Sequence, residues 1–91
     1  MGLQLIRAAG APAVYTPPEG APVATVAELQ RITRPRQDGM AIETVRLAYL
    51  PAVDVPAPQR GAELLIGTAR YVVDGLDDDD GSVVTVAVRP A

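Results

Sequence analysis

A chain of 91 residues is expected to form one domain, residues 1–91, with a thin core, because a chain of this length buries only about 60–65% of its unfolded surface. The lack of cysteine removes disulfide and thiol chemistry, and the lack of histidine removes the commonest zinc ligand and the usual proton shuttle at neutral pH. A net charge of −3 speaks against binding nucleic acid by phosphate neutralisation, and no apolar run approaches the ~18 residues of a membrane span.

Nine prolines and eight glycines divide the chain into short pieces, which disfavours long helices and favours strands between turns. The first ten residues carry Arg7 inside a short apolar run, the wrong order for a secretory signal, so the chain is expected in the cytoplasm when made. A short strand is expected over residues 13–16, anchored by Tyr15, within the Pro/Gly/Ala-rich stretch 10–22. Residues 23–33 admit two readings. Val23, Thr25, Ala27 and Leu29 would line one face of a strand, whereas Val26, Leu29 and Thr33 would line a helical turn. Pro22 and Pro35 bracket the segment and its neighbours read as strands, so a strand is expected.

Residues 33–40 read as a polar loop with arginines on both sides of Pro35. Residues 43–50 alternate Val45, Leu47 and Tyr49 with Thr44, Arg46 and Ala48, the pattern of a half-buried strand. After a spacer holding Pro51, Pro56 and Pro58, residues 63–66 and 70–74 read as strands joined by Gly67-Thr68, a pair that permits a two-residue hairpin turn. Residues 74–81 are rich in turn formers and are expected to link to the last strand. That strand, residues 82–89, carries the clearest signal: Val84, Val86 and Val88 on one face, Thr85, Ala87 and Arg89 on the other. The segment 61–89 is therefore expected to be a three-stranded meander. The loops 10–22 and 33–40 are expected to be mobile and to order on assembly, since ordering costs about 1–2 kcal/mol per residue.

Little in the sequence supports catalysis. Ser82 is the single serine, and no histidine exists to activate it. Glu63 and Asp74 are expected on solvated strand faces, not as an acid–base pair. Gly61, Gly67, Gly75 and Gly81 are spaced as turns rather than as a phosphate-binding loop. Asp77, Asp78, Asp79 and Asp80 do not fit a calcium loop, because counting back from Gly81 places Leu76 where a carboxylate is required. They are expected to form an acidic loop that keeps the edge soluble or faces a channel or the tail. Arg34, Arg36, Gln37 and Asp38 are the candidate contact residues for a neighbouring subunit, given the fit of arginine's planar fork to carboxylates. Tyr15, Tyr49 and Tyr71 are expected in the core with hydroxyls at its rim, not as a base-stacking platform. No catalytic, cofactor or metal residue is expected.

A pattern emerges over residues 44–88. The run Val45-Arg46-Leu47-Ala48-Tyr49-Leu50 precedes the Pro-rich spacer, then Arg60-Gly61-Ala62-Glu63-Leu64 and Gly67-Thr68-Ala69-Arg70-Tyr71-Val72-Val73. It ends on Asp79-Asp80-Gly81-Ser82-Val83-Val84-Thr85-Val86. With Ala13-Val14-Tyr15-Thr16-Pro17 and Gly20-Ala21-Pro22-Val23 upstream, the chain resembles the small head–tail joining (head-completion or stopper) proteins of long-tailed phages. Ala62 departs from the acidic residue common after that glycine, and Glu63 stands next to it.

The resemblance implies an all-β fold, a small antiparallel barrel or sandwich of five to seven short strands with long mobile loops. It implies a virion neck protein that forms a ring of identical copies, six or twelve, with a portal or adaptor protein on the head side and a tail terminator or tail tube protein on the tail side. DNA would pass without specific binding, and the ring would close its exit. The resemblance carries no contact residues over, since the family's contacts lie in variable loops. The alternatives are a tail terminator or other neck protein, or a free-standing β-barrel that binds a protein partner.

Overall fold

The computed structural model describes residues 10–36 and 39–91. It contains six strands: β1 (Ala11–Thr16), β2 (Val23–Pro35), β3 (Ile42–Pro51), β4 (Glu63–Ile66), β5 (Ala69–Asp79) and β6 (Val83–Pro90). All pair antiparallel in the order β1-β2-β3-β6-β5-β4, and β4 returns to β1, so the sheet closes on itself. Two meanders, β1-β2-β3 and β4-β5-β6, are thus joined by two non-local seams, β3 with β6 and β1 with β4. The all-β expectation holds, and the ambiguous segment 23–33 is strand.

Period-two alternation builds the core. Val84, Val86 and Val88 of β6 point inward with Ala48 and Leu50 of β3, Ala13 and Tyr15 of β1, Leu64 of β4 and Val73 of β5. On β2 the same face places Ala27 inside, as the alternation Val23, Thr25, Ala27, Leu29 required. Burying a Leu or Val side chain is worth about 1.5–3 kcal/mol. The crossover from β3 to β4 closes the end of the sheet where β3 stops and β4 starts, contributing Val55 and Ala62 to the core. It is tied down by Thr25 Oγ1, which donates to Asp54 Oδ2 at 2.8 Å, and by the Gln59 amide, which donates to the Tyr15 hydroxyl at 2.8 Å.

The turn between β4 and β5 is Gly67-Thr68, as the sequence predicts. Gly67 has φ +61° and no other residue type adopts positive φ in the described chain, which fits a II′ turn with glycine first.

Two expectations about loops are corrected. Residues 74–79 are not a link: β5 continues through them to Asp79 and pairs with β6 as far as Asp79↔Val84. The ladder accommodates these poor strand formers with two register shifts, between Val73 and Gly75 and between Leu76 and Asp78, so Asp74 and Asp77 are each an extra residue. Gly75 accordingly lies within a strand, not a turn, and the true turn before β6 is residues 80–82. The polar loop expected at 33–40 is also shorter, because Thr33, Arg34 and Pro35 belong to β2 and pair with Thr44, Glu43 and Ile42. The turn that remains is held by the Arg36 amide donating to the Ala41 carbonyl at 2.8 Å and the Gly39 amide to the Arg36 carbonyl at 2.9 Å.

β1 pairs with β2 only as far as Ala27, and β6 pairs with β3 only from Arg46 onward. Beyond those rungs, among the described residues, β2 and β3 pair only with each other, as a two-stranded ribbon running past the closed sheet.

Candidate interaction surfaces

The ribbon has two faces set by strand parity. Arg34 and Glu43 lie opposite one another on one face, with Ile32 and Val45. Thr33 and Thr44 lie opposite one another on the other, which continues at the ribbon's base, where β3 still pairs with β6, into the opposed pairs Arg31 and Arg46 and Leu29 and Ala48.

The first face is used within the chain. Arg34 Nη1 donates to Asp77 Oδ1 at 2.9 Å, and its Nε stands 3.8 Å from Glu43 Oε1. The hydrogen bond to Asp77 holds the guanidinium above its ordinary pKa; burial opposes it, and the charges of Asp77 and then Glu43 add smaller rises. Asp77 lies between the rungs of Thr85 and Val86, level with Tyr49 and Ala48, several rungs from Glu43. For Arg34 to reach it, the ribbon must curl over the outer face of β6 and β5. Two clusters that the sequence presents separately, the arginines around Pro35 and the aspartates before Gly81, therefore meet in one ion pair.

The remaining aspartates divide their roles. Asp79 Oδ1 accepts the Gly81 amide at 2.9 Å. Asp80 Oδ1 accepts the Val83 amide at 2.8 Å and the Ser82 amide at 2.9 Å, and those two donors, Val83 first, lower its pKa. The Asp78 side chain makes no hydrogen bond or ion pair among the described residues. Arg36 follows β2 at the turn, and Gln37 and Asp38 lie outside the described residues.

The second face of the ribbon holds a feature the sequence reading missed. Arg31 and Arg46 occupy directly opposed positions on neighbouring strands. Like charges so placed repel, and the positions flank the last rungs of the core, where Leu29 opposes buried Ala48 and Arg46 opposes buried Val88. Leu29, Gln30, Arg31 and Arg46 line an open hollow of about 320 Å³. No carboxylate of the described chain pairs with either arginine. At the end of the ribbon Met40 and Ile42 are 85% and 76% exposed, the most exposed large apolar residues described.

Nothing assembles as a reactive centre among the described residues. Asp74 accepts from Arg89 Nε at 2.8 Å, and the Ser82 carbonyl accepts the Ala52 amide at 2.9 Å while its own amide is held by Asp80. No three acidic side chains gather as a metal site among those residues. The tyrosines serve structure. Tyr15 is buried with its hydroxyl at the crossover, Tyr49 donates to Gln30 Oε1 at 3.3 Å, and Tyr71 packs against the core.

The chain matches none of the curated proteins. The sequence model of the phage head-tail attachment protein family, in contrast, matches residues 1–88, nearly the whole chain. The chain therefore belongs to the phage head-tail attachment family, a structural component of the virion at the junction of head and tail.

Proposed function

We propose that the chain works as a stopper: identical copies form a ring beneath the portal or adaptor protein, close the DNA exit and present a platform to the tail terminator or tail tube protein. The observation that carries this reading is the β2–β3 ribbon. It extends past the closed sheet with exposed Met40 and Ile42 at its tip, an arrangement that favours a partner surface over solvent. A thin core and a small body suit a part whose stability is completed by neighbours. A ring also multiplies a modest patch into a firm attachment. On this reading the protein makes and breaks no bonds, is built in the host cytoplasm, and lets DNA pass without base-specific contact.

The test is a phage with the gene deleted. Tail-less heads that have lost their DNA should accumulate beside free tails, and supplying the gene in trans should restore joined, DNA-filled particles. Normal particle yield without the gene contradicts the reading.

A further inference from the structure

We infer that the hollow formed by Leu29, Arg31 and Arg46 is the socket for the acidic β5–β6 tip of an adjacent copy, with Asp78 as the carboxylate that enters it. The inference rests on the ring reading and adds the contact that would join one copy to the next.

Three observations converge. First, Arg31 and Arg46 stand directly opposed on β2 and β3, an arrangement whose mutual repulsion a carboxylate between them would relieve. Second, parity separates them from the chain's own acidic strand. The face of the ribbon that carries Arg34 turns to Asp77, so the face that carries Arg31 and Arg46 turns away from it. The chain's own β5 already satisfies one face of the ribbon, and the opposite face is left for the equivalent strand of a neighbour. Third, the chain has the complementary group to spare. Asp77 is paired with Arg34, while Asp79 and Asp80 hold the turn amides. Asp78 alone of the four has no such partner among the described residues.

A socket and a tip on different parts of one chain make a heterologous contact, the kind that generates rings when the rotation closes. Leu29, on the inner-face register and 36% exposed, supplies an apolar wall that keeps water from the arginines once the tip is seated. DNA phosphate is the less favoured occupant, since the net charge of −3 opposes approach of a polyanion while the acidic tip repeats once per copy.

The experiment uses the full-length chain, alone over a wide concentration range and on purified DNA-filled heads, followed by sedimentation velocity. Arg46→Glu and Asp78→Arg should each weaken self-association on the order of tenfold or more. An equimolar mixture of the two variants should restore it, because every contact between unlike copies then pairs opposite charges. A second readout exploits the absence of native cysteine. In the variant Arg46→Cys/Asp78→Cys, oxidation should give a ladder of covalent oligomers on a non-reducing gel.

Wild type that stays monomeric alone and on heads overturns the ring reading and this inference with it. Wild type that assembles while both charge variants assemble equally, or a double-cysteine variant that gives no ladder, overturns the socket and leaves the ring reading standing. Loss in Arg46→Glu without rescue by Asp78→Arg, accompanied by loss of duplex DNA binding, assigns the arginines to phosphate and also overturns it.

Discussion

Arg34 and Asp77 meet at 2.9 Å although they lie on strands that are not neighbours in the sheet, and their contact pins the β2–β3 ribbon to the outer face of β5. The pair is exposed and is expected to affect position more than stability. Asp77→Asn should leave the melting temperature nearly unchanged but speed amide hydrogen exchange in residues 32–34 and 42–45. High salt should do the same in the wild type. Unchanged exchange in both cases would show that the ribbon is held by something else.

Leu64 is fully buried between β1 and β5. Leu64→Ala should cost about 2–5 kcal/mol, a large part of the roughly 5–15 kcal/mol typical of a domain of this size. Urea denaturation would measure it. A cost below 1 kcal/mol, on the order of a surface change, would mean that this site is not part of the cooperative core.

Tyr15→Phe tests the crossover. Its hydroxyl accepts the amide of exposed Gln59, and removing it should cost about 0.5–1.5 kcal/mol, the net worth of one hydrogen bond. The expected signature is local: faster exchange at the Gln59 amide together with a modest loss in denaturation midpoint.

Asp80 provides a pH dependence. Its folded pKa lies below the ordinary 3.8 because the carboxylate accepts two backbone amides. A depressed carboxyl stabilises the fold above its unfolded pKa, and that stability is lost as pH falls through the folded value. Asp80→Asn keeps an acceptor oxygen but not the charge. It should melt below wild type at neutral pH, with the gap closing as the pH falls below the ordinary carboxyl range. A gap that persists in acid would place the effect in packing instead of charge.

The sequence was most legible where neighbours in the chain are neighbours in space. The alternation of Val84, Val86 and Val88 marked β6, and Gly67-Thr68 marked the β4–β5 turn, because period and turn chemistry are local properties. The path of β5 through Asp74–Asp79 was hidden because aspartate and glycine are poor strand formers. Only the partner strand β6, through two register shifts, draws them into the ladder. The seams β3–β6 and β1–β4 were likewise beyond reading, as nothing in a strand's own residues names a distant partner.

The candidate site shows the same division. Arg34 and Asp77 were each singled out, but their meeting depends on the curl of the ribbon. Arg31 and Arg46 were overlooked although a signal existed. Once a turn is placed at residues 36–41, counting outward along both strands sets Arg31 opposite Arg46. Reading 33–40 as a loop ended that count too early.

The central claim is that this chain acts in the virion as a closed set of its own copies. The most direct measurement is an image reconstruction of the neck of intact particles, with the chain located by a tag. The account predicts a symmetric ring of β-barrels between portal and tail, with each acidic tip against the next copy's ribbon. Isolated single copies at the neck, or a tag found elsewhere on the particle, would contradict it.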